Sequence, residues 1–150
     1  MARILVQEAP FDLAAETAAL SGLSDTVGAI ASFLGICRAD NGITAMTLEH
    51  YPGMTEKALA AIAAEAESRW QLDGCTIIHR IGRLTPGEPI VLVLTASRHR
   101  AAALDACAFL IDWLKTKAPF WKLEEHADGQ ATWVDARESD DTAAARWALG

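Results

Sequence analysis

Positive charge is scarce in this 150-residue chain: thirteen basic residues face twenty acidic ones, for a formal charge of −7. Without a broad basic surface, nonspecific nucleic-acid binding is not expected. A small anionic ligand stays open, because local field governs that and total charge does not. Long apolar runs are missing too. The longest, "VGAIASFLGIC" from Val27 to Cys37, is too short to cross a bilayer. The start, "MARILVQEAPF", lacks the extended apolar stretch of a signal peptide. Three cysteines form no CxxC pair and leave an odd one, which suits a reducing cytoplasm better than a disulfide framework. The four histidines stand singly, so no metal is expected. There is no glycine-rich phosphate loop, no GxSxG, no repeat and no low-complexity tract. One domain over 1–150 is the expectation from length.

What is present alternates between strand and helix. "ARILVQ" reads as a strand, and "PFDLAAETAALSG" as a short helix with Pro10 near its start and Gly22 past its end. "VGAIASFLGICR" and "ITAMTLEHY" are strand-like, and Asn41-Gly42 between them signals a hairpin. "GMTEKALAAIAAEAESRW" is the clearest helix, with Ala58, Ile62, Ala66 and Trp70 at four-residue spacing. "CTIIHRIGRL" predicts one strand, turned by "TPGE" into "PIVLVLTAS". From His99 to about Lys117 the helical period returns through Ala103, Cys107, Leu110 and Leu114, and Pro119 ends it. "FWKLEEHA" and "ATWVDAR" form a hairpin around Asp128-Gly129; "DTAAARWAL" is either a small helix or a loose tail, leaving 138–150 open. This order predicts an α+β fold with a mixed or largely antiparallel sheet.

Three of the four lysines, Lys115, Lys117 and Lys122, crowd into "LKTKAPFWKLEEH" around a stiff Pro119-Phe120-Trp121 turn. Ammonium groups this close repel unless they are solvated or face an anion. A helix C-terminus that simply complements its macrodipole explains them as well as an anion site does. If Phe120 opens a strand, Phe120 and Lys122 share one face while Trp121 and Leu123 share the other. A solvated lysine there would clamp an anion; a desolvated one could act as base or nucleophile.

"SRHRAAA" sets Arg98, His99 and Arg100 at a helix start, unfavourable against the macrodipole unless an anion shares the site, although a plain surface charge trio explains them as well. Arg38, where a strand runs into a turn, and Arg137 near the tail are each either a surface charge or a ligand for phosphate or carboxylate. His79 and Arg80 read as structural, and the cysteines as core fillers. A binding module for a phosphorylated metabolite, or an interaction subunit with solvated lysines, would also fit these residue types.

Five stretches in one order, "GAIASFLGICR", "LEHYPGM", "HRIGRLTPGE", "SRHRAAALDAC" and "LKTKAPFWKLE", resemble the MoaE family, the large catalytic subunits of molybdopterin synthase. The resemblance spans about Val27 to Arg137. It implies an α/β hammerhead-type fold with additional antiparallel β structure. It also implies a homodimer that becomes a heterotetramer with a small ubiquitin-like sulfur carrier of MoaD type docked at each end. The implied reaction is a sulfur transfer: two sulfurs pass from the carrier's C-terminal thiocarboxylate to cyclic pyranopterin monophosphate, giving molybdopterin. No cofactor, nucleic acid or membrane is implied, and the location is cytoplasmic. Lys115 and Lys122 match the family's lysines at the inserted carrier tail. Phe33, Arg38, His99, Arg100, Glu124 and Arg137 match other pocket positions. Ile111 and Leu123 depart from residues that relatives can carry, and both bear on pocket shape. An apolar groove near Phe120 and Trp121 is expected to accept the tail.

The spacing adds one expectation. Arg100 and Lys115 lie on one predicted helix, roughly 22 Å apart at ~1.5 Å per residue. If both serve one pocket, His99 and Arg100 come from the neighbouring subunit.

Overall fold

In this computed structural model, which describes residues 2–134 and 145–148, the chain forms two four-stranded sheets and three helices. The strands are β1 (Arg3–Gln7), β2 (Ala29–Ile36), β3 (Ile43–His50), β4 (Leu72–Arg80), β5 (Gly82–Leu84), β6 (Pro89–Ser97), β7 (Phe120–His126) and β8 (Ala131–Val134). The helices are α1 (Leu13–Ser21), α2 (Met54–Arg69) and α3 (Arg100–Thr116). The first sheet runs β1-β4-β6-β2, with β1 parallel to β4 and the other pairs antiparallel. The second runs β5-β3-β7-β8 and is antiparallel throughout. The α+β expectation is met.

The first sheet is covered on both faces. Its strands β4 and β6 are accordingly buried along most of their length. On one side Ile77, Val91 and Val93 meet Leu59, Ile62 and Ala66 of α2 and Cys107, Phe109 and Leu110 of α3. Each fully buried Leu or Ile there contributes about 1.5–3 kcal/mol. On the other side Ile78, Leu92 and Leu94 pack with Leu20 of α1. A third cluster of Cys37, Met46, Leu48 and Leu84 fills the inner face of the second sheet.

Capping explains where the helices start. The Asp12 carboxylate accepts from the Ala15 N–H at 3.1 Å, so α1 begins at Leu13, three residues after Pro10. Glu56 accepts from the Gly53 N–H at 3.2 Å and closes the first turn of α2. The buried stripe of α2 is Thr55, Leu59, Ile62, Ala63 and Ala66. It is offset from the expected Ala58 line because the larger Leu59 side chain takes the core.

One hairpin read from the sequence is not a hairpin. β2 and β3 flank the Asn41-Gly42 signal but belong to different sheets, and Asp40–Gly42 is a short 3-10 turn. The single strand expected over "CTIIHRIGRL" is likewise divided. The chain breaks after Arg80, where Gly82 sits at φ +85 with the Glu8 carboxylate 2.9 Å from where a Cβ would stand. Only glycine turns there without strain. β4 therefore stays in the first sheet while β5 crosses to the second. The other hairpin, β7–β8 around Asp128-Gly129, forms as expected.

Of the 138–150 segment, residues 145–148 are described. Trp147 stands edge-on to Trp70 and Phe109, and its indole N–H donates to Asp112 at 2.6 Å. The rest of that segment, together with Arg137, lies outside the described residues. Among the described residues no helix is long and apolar enough to cross a membrane.

Candidate functional site

The two predicted lysines stand on different elements, α3 and β7. Lys115 sits in the last turn of α3, where an ammonium complements the C-terminal partial charge. Lys117 caps that helix through its N–H to the Trp113 carbonyl at 2.8 Å. The chain then turns through Ala118 and Pro119 into β7. Alternation along β7 puts Phe120, Lys122 and Glu124 on its inner face, opposite His50, Leu48 and Met46 of β3.

The turn between the lysines is held at two points. Thr55, fully buried in the first turn of α2, accepts from the Tyr51 N–H at 3.0 Å and donates to the Pro119 carbonyl at 3.3 Å. Phe120 stacks on the His79 imidazole with ring centroids 3.8 Å apart and planes 17° from parallel. His79 ends the β4 row that includes Cys75 and Ile77, and its Nδ1 lies 2.8 Å from the Arg80 carbonyl. Burial pulls the His79 pKa down to about 4. The bond to Arg80 opposes this, and the charges of Lys115, Lys122 and His50 add to it. Both lysine charges therefore act on one buried ring.

Lys122 also acts on Cys37. Burial raises the Cys37 thiol pKa, Glu88 and Glu124 raise it further, and Lys122 alone lowers it. Arg38 follows directly and pairs with Asp40 at 2.9 Å, both more than half exposed. An ion pair that open is worth little and exchanges readily for another anion. Phe33 packs against the main core cluster, as do Ile111, Leu114 and Phe120. Lys122 and Glu124 thus share the inner face of β7 and both act on Cys37, the residue before Arg38.

His99 and Arg100 are elsewhere. They open α3, sixteen and fifteen positions before Lys115, so roughly 22 Å of helix at ~1.5 Å per residue separates Arg100 from Lys115. His99, the N-cap, makes no side-chain capping bond, and the first turn holds no acidic residue. With Gly28, Ala29, Arg98 and Ala101 these residues line an open hollow of ≈ 520 Å³. A Cβ on Gly28 would lie 2.1 Å from the Arg98 carbonyl oxygen, so only glycine allows that approach. Another hollow, ≈ 860 Å³, lies along α1 beside Phe11, Leu13 and Thr17 and touches none of the predicted residues.

Two expectations about shape change. Leu123 and Trp121 lie on the outer face of β7, away from Lys122, so of the two departures only Ile111 borders the lysine end. Phe120 and Trp121 do not line one groove: Phe120 is inward on His79, whereas Trp121 meets Tyr51 edge-on at 4.4 Å on the outside. The cysteines are buried and free as expected. Burial drives Cys75 up to about 12 and Cys107 to about 11, so neither supplies a ready thiolate. No group of residues suited to a metal occurs among the described residues.

Sequence reasoning missed Thr55 altogether and read His79 as structural. The one available signal was a His-Arg pair closing an otherwise apolar strand, both side chains proving buried.

Comparison with known proteins fits this geometry. The model of the MoaE protein family matches residues 6–117. The molybdopterin synthase catalytic subunit of Pseudomonas aeruginosa is 55% identical over 147 residues, covering 96% of this chain and 97% of its own. A solved MoaE protein from Burkholderia ambifaria superposes with a TM-score of 0.86 at 52% identity over 100% of both chains. A molybdopterin synthase structure from Staphylococcus aureus gives 0.76 at 29% identity, covering 88% of this chain and 95% of its own. The two full-length likenesses take in β7 and Lys122, beyond the family-model match, and on all these grounds the chain belongs to the MoaE family.

Proposed function

We propose that this chain is the catalytic subunit of a cytoplasmic molybdopterin synthase, working as one unit over 1–150. It would convert cyclic pyranopterin monophosphate to molybdopterin with two sulfurs, each delivered by the C-terminal thiocarboxylate of one small ubiquitin-like carrier. The observation that supports this reading most is that the charges of Lys115 and Lys122 both act on the buried His79 ring, on which Phe120 is stacked. In each transfer the one sulfur of a carrier thiocarboxylate passes to the substrate and water supplies the oxygen of the carboxylate left behind, so negative charge develops at a carbonyl while the substrate's phosphate contributes standing charge. Fixed cations placed where charge develops are the strongest lever available to such a site. Lys115 stabilises the anion at the carrier end, and Lys122, beside Glu124, completes the clamp.

Glu124 shares the inner face of β7 with Lys122, and in this reading Phe33 and Arg38 join the same pocket, whereas His99 and Arg100 open α3 at its far end. In this reading two chains form a twofold dimer, and the α3 N-terminus of one supplies His99 and Arg100 to the substrate phosphate at the other's lysines. Arg137 would join them as a further pocket residue. A carrier at each lysine end makes the assembly a heterotetramer.

Reconstitution tests the assignment. The purified chain, thiocarboxylated carrier and cyclic pyranopterin monophosphate should yield molybdopterin and carrier ending in a plain carboxylate. Carrier binding without any dithiolene product would leave only a binding module.

A further inference from the structure

We infer that Thr95 is a positioning residue for the cationic hollow: its buried hydroxyl pins the first turns of α3 to β6 and so sets where His99 and Arg100 stand relative to Gly28 and Ala29. The proposal rests on the reading above, in which His99 and Arg100 meet the substrate phosphate. It extends that reading to a side chain that touches no substrate.

Alternation along β6 puts Val91, Val93, Thr95 and Ser97 in one row, on the side that α2 and α3 cover. A third valine would have continued that row with the same branched shape. Thr95 is instead fully buried, level with Ala31 of β2 and Cys75 of β4, which belong to the apolar core. A hydroxyl in such a place costs stability unless it is bonded. Its Oγ1 donates to the Ala103 carbonyl at 2.6 Å, a short bond directed from the sheet into the helix.

That bond acts one turn from the hollow. Ala103 gives its N–H to the His99 carbonyl at 3.5 Å, so the residue held by Thr95 also closes the turn that carries His99 and Arg100. Packing alone holds this turn weakly. α3 enters the core there through Ala103 and Ala106, and a methyl group makes few of the contacts from which dispersion is summed. A directional hydrogen bond therefore decides how far along β6 the helix start lies.

The opposite wall is tied to the same strand end. The Gly28 N–H donates to the Ser97 carbonyl at 3.0 Å, and the buried Ser97 hydroxyl donates to the Gln71 carbonyl at 3.3 Å. With the start of β2 fixed to β6 in this way, Thr95 governs what is left, the placement of α3 against it. The helix does not need the bond for its own ladder. An interior helical carbonyl already accepts the N–H four residues on, so Ala103 keeps a partner when the hydroxyl is removed.

Thr95→Val removes the hydroxyl and keeps the shape; Thr95→Ser keeps the hydroxyl and loses a methyl. Inorganic phosphate, titrated into the full chain and followed on the His99 imidazole NMR signals, reads the hollow directly. The valine variant should bind phosphate at least about threefold more weakly, and the serine variant within about twofold of the unmodified chain. In reconstituted sulfur transfer the valine variant should raise KM for cyclic pyranopterin monophosphate by at least about threefold, with kcat within about twofold. Loss of folded protein would lower the apparent kcat and leave KM where it was. Unchanged phosphate affinity and KM in a folded valine variant, a fall in kcat alone, or a serine variant as weak as the valine one would overturn the proposal.

Should the valine variant not fold, the unmodified chain decides. The Thr95 hydroxyl proton should exchange slowly enough to give its own NMR signal, with a contact to the first turns of α3; a freely exchanging hydroxyl would overturn the proposal equally. Arg100→Ala separates this failure from failure of the phosphate reading. Unchanged phosphate affinity in that variant removes the hollow's role, whereas weakened binding there beside an unaffected Thr95→Val sinks the Thr95 assignment alone.

Discussion

Thr55 joins two elements that the sequence keeps 64 residues apart: its hydroxyl donates to the Pro119 carbonyl at 3.3 Å while accepting the Tyr51 N–H at 3.0 Å. One buried oxygen thereby fixes the start of α2 to the turn that spaces Lys115 from Lys122. Thr55→Val keeps the shape and removes both bonds. Two polar groups lose a partner, at a cost of about 1–3 kcal/mol. Thermal unfolding should fall by about 2–4 °C for each kcal/mol in a chain of this size. Turnover should fall more than the loss of folded protein explains. An unchanged melting temperature would show that the bond does no holding.

Acid should weaken the fold through His79. Its pKa is depressed from 6.5 to about 4 in the folded chain, so the unfolded state binds the proton first as pH falls. The stabilisation is complete above pH 6.5 and is lost as pH drops from 6.5 toward 4, amounting to about 3 kcal/mol for a buried group. Urea unfolding at pH 7 and pH 5 measures the difference. His79→Phe should flatten that interval relative to the unmodified chain, because the remaining histidines and carboxylates titrate in both.

Gly28→Ala should disturb the cationic hollow without touching a cation. The added methyl would meet the Arg98 carbonyl at 2.1 Å, and the obstacle is backbone that cannot rotate aside. Relief must move Arg98 and, with it, His99 and Arg100. An overpacked site of this kind costs about 1–3 kcal/mol. A phosphate titration followed by thermal shift should lose its response at the α3 N-terminus in the same variant.

Sharing of sites between subunits has its own test. Neither Arg100→Ala nor Lys115→Ala alone should turn over. Mixed dimers of the two should regain about one working site of two, since one lysine end then meets one intact helix start. Absence of any recovery on mixing would place both ends in separate functions.

Much of the fold was legible because the periodicities are strong. α2 and α3 follow from their spacing of small and apolar residues, and β7–β8 from alternation around Asp128-Gly129. The failures are topological. Asn41-Gly42 looks like a hairpin turn locally, yet β2 is drawn to β6 and β3 to β7 by burial that no short window reveals. Gly82 divides a strand because Glu8, far away in sequence, closes on it. The lysine cluster was visible as composition, and its aromatic turn as a sign of rigidity. His79 and Thr55 were not, since their roles depend on contacts 41 and 64 residues distant, with Phe120 and Pro119.

The most direct measurement is sulfur transfer by Lys115→Ala, with carrier binding followed in parallel by calorimetry. The account predicts a fall in turnover of about 10²-fold or more, typical for removing one fixed group from a charge-stabilising site, with carrier affinity near that of the unmodified chain. Turnover within a factor of about three, some 0.6 kcal/mol on the barrier, would contradict it.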